Sequence, residues 1–292
     1  MANLKETRLR ITSVKSTQQI TKAMKLVSAT KLRRAQQAII QMRPYADKLK
    51  EMLVNLASSV EEESISKYFE QREVNKILVV VITSDRGLCG AFNGNVVKKV
   101  KSLVNQKYGH LSKDKITFLP IGKKGNDAFG NSGYAIIPSY LDTFTKLNAT
   151  LAFESAQFLL DAFTSQQFDK VYLVYNKFVN AATQSLTAEQ LLPIDLVSVQ
   201  SHSKQVNDFL FEPTKIEILS DLIPRSLKTQ FYRALLDSFA SEHGARMVAM
   251  DKATDNAGEL IKSLQLSYNQ ARQAAITTEL SEIVGGAAAL NG

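Results

Sequence analysis

The side chains best placed to do chemistry fall in one stretch, Ser84-Asp85-Arg86-Gly87-Leu88-Cys89-Gly90-Ala91-Phe92-Asn93, directly after an apolar run. In a doubly wound sheet, the turn after the first strand is where nucleotides bind, and Gly87, Gly90 and Gly94 suggest a phosphate cradle. The spacing does not match one. A dinucleotide fingerprint needs G-x-G-x-x-G and a P-loop needs G-x-x-x-x-G-K-[ST]; neither occurs, and the first lysine after Gly90 is Lys98. The stretch reads better as a tight structural turn in which Asp85 and Arg86 bond to neighbouring elements. A thiol acts as a nucleophile once a base has activated it, but His110, His202 and His243 lie in three separate segments, so Cys89 reads as a small buried side chain. There is no cysteine pair and no His-x-x-x-His spacing for zinc, and the carboxylates are scattered rather than paired. The residues therefore predict no catalytic site, no metal site and no cofactor.

Composition narrows the class further. A single cysteine in 292 residues excludes an internal disulfide framework and a dithiol switch, and fits a reducing compartment. No run approaches the roughly 20 apolar residues of a membrane span, the longest candidate being Ile77 to Thr83. The net charge of +8 is unevenly distributed. The first 43 residues hold ten basic side chains (Lys5, Arg8, Arg10, Lys15, Lys22, Lys25, Lys31, Arg33, Arg34, Arg43) against the single acid Glu6, while the remainder is close to neutral. Such a start resembles an organelle transit peptide, but the same periodic pattern continues past residue 43. Three readings of the charge remain open at this point: a solvated helix face, a grip on nucleic-acid phosphates, and a shaft fitted into an acidic or polar protein sleeve.

The elements around these residues are set by periodicity. Leu4 to Val60 contains no glycine and one proline, the pattern of a single long helix of about 80 Å. A coiled-coil seam runs through Ala35, Ala38, Met42, Tyr45, Leu49, Met52 and Leu56 in its second half. In the first half the same spacing gives the polar series Thr7, Arg10, Val14, Thr17, Thr21, Met24, Ser28 and Lys31, with Ile11, Ile20, Met24 and Val27 as the apolar contacts; pairing there should be looser and more polar. Pro44 should kink or interrupt the helix unless its neighbours hold it straight. A second long helix is expected from Arg225 to Val284, after Pro213 and Pro224 and stopped by Gly285 and Gly286. Its alanines at 245, 249, 253, 257, 271, 274 and 275 allow close approach, so the two ends should pair antiparallel. Between them, runs at Lys76 to Thr83, Ile116 to Gly122, Ala135 to Ile137 and Lys170 to Val179 alternate with helical segments, which predicts buried parallel strands covered by helices. The fold class is α/β: an antiparallel two-helix coiled coil from the chain ends with an inserted Rossmann-like parallel domain. The expected divisions are 1–60 (helix), 61–75 (connector), 76–196 (α/β domain), 197–224 (connector) and 225–292 (helix).

Three long motifs then resemble one family. Ile20-Thr-Lys-Ala-Met-Lys-Leu-Val-Ser-Ala-Thr-Lys-Leu-Arg34 stands near the start and Thr83-Ser-Asp-Arg-Gly-Leu-Cys-Gly90 in the middle. Ala245-Arg-Met-Val-Ala-Met, Ala253-Thr-Asp-Asn-Ala and Tyr268-Asn-Gln-Ala-Arg-Gln-Ala-Ala-Ile-Thr277 stand near the end. All resemble the γ subunits of F-type ATP synthases, in order and over essentially the whole chain. The resemblance implies a non-catalytic rotor, the central stalk. Its terminal helices stand inside an α3β3 hexamer, and its α/β domain is a foot on the ε subunit and the ring of membrane c subunits. It implies coupling of proton flow to ATP synthesis and hydrolysis, regulation of ATPase activity, and a peripheral place on the cytoplasmic side of a bacterial inner membrane. Nucleic acid is then no partner, and the basic segment faces the polar groups of the ring. By resemblance, Lys22, Met24 and Lys25 are contacts to a β-subunit loop. Arg246, Arg272, Gln273, Thr277, Thr278, Glu279 and Glu282 are partners on the C-terminal helix, to β or within the shaft, and Phe209, Phe211 and Glu212 meet the c ring. Plastid relatives carry a two-cysteine regulatory insertion that this chain lacks.

Overall fold

The computed structural model describes residues 4–57, 67–138, 140, 143–144, 147–194 and 214–290. Helix α1 spans Leu4–Ala57 and α5 spans Lys215–Leu290. Between them lie β1 (Ile77–Ile82), α2 (Phe92–Tyr108), β2 (Ile116–Ile121), α3 (Lys123–Phe129), β3 (Ala135–Ile136), α4 (Ala149–Thr164), β4 (Lys170–Phe178) and β5 (Gln184–Leu192). The chain forms two compact units, Ala29–Arg246 and Met1–Ser28 with Met247–Gly292, so both long helices contribute to each.

The larger unit is built on a five-stranded sheet of order β3-β2-β1-β4-β5. The four strands expected from their apolar runs are parallel, and β1 at the centre is buried at every position because both its faces are covered. Leu78, Val80 and Ile82 face α4 and the start of α5, where Leu219, Ile223, Leu227 and Phe231 are buried. Ile77, Val79 and Val81 face α2, through Val96, Val100 and Val104, together with Phe129 at the end of α3. Pro120 is tolerated in β2 because it faces the β3 side, and β3 pairs only with Thr117 and Phe118. β5 is an addition that the apolar pattern did not announce. It runs antiparallel to β4 at the sheet edge, and only Leu191 and Leu192 of it are fully buried.

Helix α5 begins ten residues earlier than Arg225 and runs through Pro224, as α1 runs through Pro44. Each ring removes one helical amide, and the carbonyls left without it belong to Ser220 and Ile40, both on exposed residues where water is available. Packing of Leu219, Ile223 and Leu227 supplies what the proline costs. Nor do Gly285 and Gly286 stop α5; glycine is a poor helix former but not a forbidden one.

The seam of α1 is also corrected. The covered stripe of α1 runs through Thr7, Ile11, Val14, Gln18, Thr21, Lys25, Ser28, Leu32, Ala35, Ile39, Met42, Ala46 and Leu49; Leu4, Ala29 and Gln36 beside it are half-buried. Of the expected seam, Thr7, Val14, Thr21, Ser28, Ala35, Met42 and Leu49 are retained; Arg10, Thr17, Lys31 and Tyr45 are exposed and give way to the residue one position later, Met52 is 41% exposed, and the side chain of Leu56 lies outside the described residues. Met24 and Ala38 are half-buried. Ile20 and Val27, expected as contacts, are exposed. Within the smaller unit the facing residues of α5 are Met250, Thr254, Ala257, Ile261, Leu264, Tyr268, Ala271 and Ala275. The pairing is antiparallel and polar, as expected. Gln18 Nε2 donates to the Thr254 carbonyl at 3.2 Å, the Thr21 and Thr254 hydroxyls lie 2.8 Å apart, and Lys25 pairs with Asp251.

Candidate functional site: a pinned loop and two helix surfaces

The loop after β1 is a closed hydrogen-bonded structure. The Ser84 amide donates to Asn93 Oδ1 at 3.0 Å, Asn93 Nδ2 donates to Ser84 Oγ at 2.8 Å, and Ser84 Oγ donates to the Arg86 carbonyl at 2.7 Å. Asn93 Nδ2 also points at Cys89 Sγ, 3.3 Å away, and the thiol is buried. Burial raises the Cys89 pKa, so the thiol form is favoured over the nucleophilic thiolate. The amides that begin α3 are already occupied: Lys123 N donates to Asp85 Oδ1 at 3.3 Å and Lys124 N to the Ser84 carbonyl at 3.1 Å. Gly122 is required there, since at φ +96° a Cβ would lie 2.2 Å from the Thr83 carbonyl oxygen. The turn is thus filled by its own carboxylate and carbonyl.

Its outer part is held from α5. Arg246 donates to the carbonyls of Gly87 and, at 3.2 Å, of Arg86, and to Glu242 Oε1 at 2.6 Å. The side chains of Arg246 and Glu242 are 9% and 8% exposed, whereas Leu88, at the tip of the loop with φ +64°, is 67% exposed. Burial raises the Glu242 pKa, and the Arg246 hydrogen bond opposes the rise.

Two further buried ionisable groups lie on α5. Asp237 is pushed up to about 6, chiefly by burial; Arg233, Lys177 and Arg43 oppose the rise and Glu189 adds to it. His243 is pushed down to about 3 by burial and by the positive charges of Lys31 and Arg246; its ring meets Phe239 edge to face, and its Nδ1 has no hydrogen-bond partner among the described residues. Glu242 and Asp237 were not singled out from the sequence, and His243 was weighed there only as a base for Cys89. The Glu242/Arg246 spacing of four on a helix was a visible signal for the first.

The residues named from the resemblance are scattered over separate surfaces. Lys22 is exposed on α1, with Met24 and Lys25 half-buried beside it and Lys25 engaged by Asp251. Arg272, Gln273, Thr277, Thr278, Glu279 and Glu282 are all exposed on α5. Arg246 is spent within the chain. Phe209, Phe211 and Glu212 lie outside the described residues. Among the described residues, no group of three His, Cys, Asp or Glu side chains is arranged for a metal, and no helix is long and apolar enough to cross a membrane.

Comparison with known proteins gives this arrangement a family. The family model described as ATP synthase matches residues 3–290. The chain is 51% identical to the ATP synthase gamma chain of Cytophaga hutchinsonii, over 100% of both chains. Among solved structures, a chain of the Tetrahymena thermophila mitochondrial ATP synthase central stalk and c-ring is 28% identical with a TM-score of 0.57, covering 80% of this chain and 99% of that one. A chain of the Euglena gracilis mitochondrial ATP synthase OSCP/F1/c-ring structure shares the fold, with a TM-score of 0.71 at 24% identity over 98% of this chain and 94% of that one. The chain belongs to the family of ATP synthase gamma chains.

Proposed function

We propose that this chain is the turning central stalk of an ATP synthase. In this reading it couples proton flow through the membrane sector to ATP synthesis and hydrolysis on surrounding α and β subunits, and has no catalytic site of its own. The observation that carries this reading is the end of α5. Its last partly covered seam residue is Ala275, and every side chain described from Ile276 to Ala287 is exposed. Ile276, Leu280, Ile283 and Val284, at helical spacing, form an apolar stripe 47–67% exposed. A helix end of this kind needs a sleeve, and the α3β3 hexamer supplies one.

The mechanism follows from asymmetry. A shaft whose sides differ, turning in a nearly threefold hole, meets each β subunit with a different face and biases it between open and closed states. The coupling is reciprocal, so nucleotide binding and release turn the shaft and turning the shaft changes nucleotide affinity. Arg272, Gln273, Thr277, Thr278, Glu279 and Glu282, beside the stripe, and Lys22 and Met24 on α1 are the proposed contacts to the ring. Phe209, Phe211 and Glu212 are the proposed contacts to the c ring, and the ε subunit is a further partner. In this reading the complex sits at a bacterial inner membrane, with this chain peripheral on its cytoplasmic side.

Co-expression with α and β subunits tests the reading. The full chain should co-purify with both in excess over itself, and deletion of residues 276–292 should weaken retention while leaving the isolated chain folded. Turnover of ATP by the isolated chain, or tight nucleotide binding to it, would sink the proposal.

A further inference from the structure

The contact between Arg246 and the β1 loop is not needed for any surface in the proposed function, yet it uses one of the most fully buried ion pairs described. A buried ion pair seldom adds net stability over an apolar substitute, because desolvating the charges offsets their attraction. What it supplies is geometry. The guanidinium is planar, and its fork reaches the carbonyls of two consecutive loop residues while Glu242, one turn back on the same helix, fixes its orientation. Directly beyond those carbonyls stands Leu88, a non-glycine residue held in the left-handed region and pointing into solvent. Such a conformation persists where the surroundings over-determine it. Here the surroundings are Arg246 on one side and the Ser84, Asn93 and Cys89 contacts on the other. Arg246 is also the last residue of α5 within the sheet-containing unit.

We propose that Arg246, oriented by Glu242, is a positioning residue that fastens the loop after β1 to α5, so that the sheet and the helix respond to an applied load as one piece. The inference rests on the rotor reading for its role in coupling. The fastening itself is a property of this chain alone. When the guanidinium is removed, the Gly87 carbonyl loses its Arg246 donor and the Arg86 carbonyl is left with Ser84 Oγ and Cys89 Sγ, so that Leu88 relaxes and the cover over Cys89 opens.

Two measurements separate these levels. In the isolated chain, maleimide alkylation of Cys89, the single cysteine, reports opening of the loop. Arg246→Gln should raise the alkylation rate about tenfold; Arg246→Lys should raise it less, because the ammonium keeps the charge beside Glu242 and can still serve one carbonyl but not both; and Glu242→Gln should fall between them. In the assembled complex, Arg246→Gln should lower the ratio of protons pumped to ATP hydrolysed by about three- to tenfold at equal assembly. A merely structural role would instead reduce pumping and hydrolysis together. An unchanged Cys89 rate in Arg246→Gln overturns the fastening, and an unchanged pumping ratio overturns its part in coupling. If Arg246→Gln does not fold, the same two outcomes are read from Arg246→Lys. A raised Cys89 rate in a chain that never assembles with α and β subunits would keep the fastening and sink the rotor reading.

Discussion

In the sheet-containing unit, β1 is sealed between α4 and α5 on one face and α2 on the other, and almost everything it touches is apolar. The paired helix segments of the smaller unit meet instead through Gln18, Thr21 and Lys25 against Thr254 and Asp251, with Met250, Ala257 and Ile261 as the buried apolar positions on α5. Apolar side chains there, including Leu9, Ile20, Val27, Leu260 and Leu266, remain on the outside. The first unit completes its own core. The second holds its two helices in register with polar contacts and leaves apolar surface for something else to cover, as expected of a part that works inside a partner. The contrast extends to charge, since Asp237, Glu242 and His243 are buried in the sheet-containing unit while the Lys25–Asp251 pair of the smaller one is only half-buried.

The sharpest break in that comparison is a core truncation. Phe231→Ala removes a fully buried ring and should cost about 3–5 kcal/mol in urea unfolding of the isolated chain. A loss under about 1 kcal/mol would mean that this core is not what holds the sheet-containing unit.

Next come the buried titratable groups, whose signs are opposite. His243 has a folded pKa of about 3, below the ordinary value of 6.5, so its contribution is present above pH 6.5 and is lost as pH falls toward 3. At pH 5 this amounts to about 2 kcal/mol, and His243→Phe should remove that part of the acid sensitivity. Asp237 has a folded pKa of about 6 against 3.8, so its contribution is present below pH 3.8 and is lost as pH rises through 6. Asp237→Asn should therefore raise stability at pH 7 by about 1–3 kcal/mol and leave it nearly unchanged at pH 4, as read from unfolding midpoints. Equal effects at both pH values would assign the change to packing rather than charge.

The smallest effect belongs to the helix pair. Lys25→Ala should change stability by about 0–1 kcal/mol, and less still in high salt, because both partners are substantially exposed. A larger loss would show that the polar seam carries as much of the stability as the apolar core.

Much of this contrast is legible in the amino-acid sequence. The β-branched runs at Ile77, Ile116 and Lys170 identified strands buried on both faces, and the polar series through Thr7, Thr21 and Ser28 announced a thin seam. What failed, failed for physical reasons. Apolar residues spaced by three and four fit two registers that differ by one residue, and the choice between Ala38 and Ile39, or Lys31 and Leu32, belongs to the facing helix. β5 was missed because an edge strand is recognised by its partner more than by its own apolar pattern. Pro224 and the paired glycines at 285 and 286 were read as stops because local propensity yields wherever packing or a continuing helix outweighs it.

By itself, the sequence determined that two long helices flank a parallel-strand domain, that the positive charge gathers at one end, and that no familiar nucleotide or metal pattern is present. These are properties of composition and local spacing, which each segment carries alone. Only the tertiary structure decided which face of α1 is buried, that Arg246 grips the β1 loop, and that Asp237 and His243 titrate far from their ordinary values. Each of these depends on groups distant in the chain meeting in a space from which water is excluded, and there a neighbour's charge or carbonyl outweighs what a residue prefers on its own.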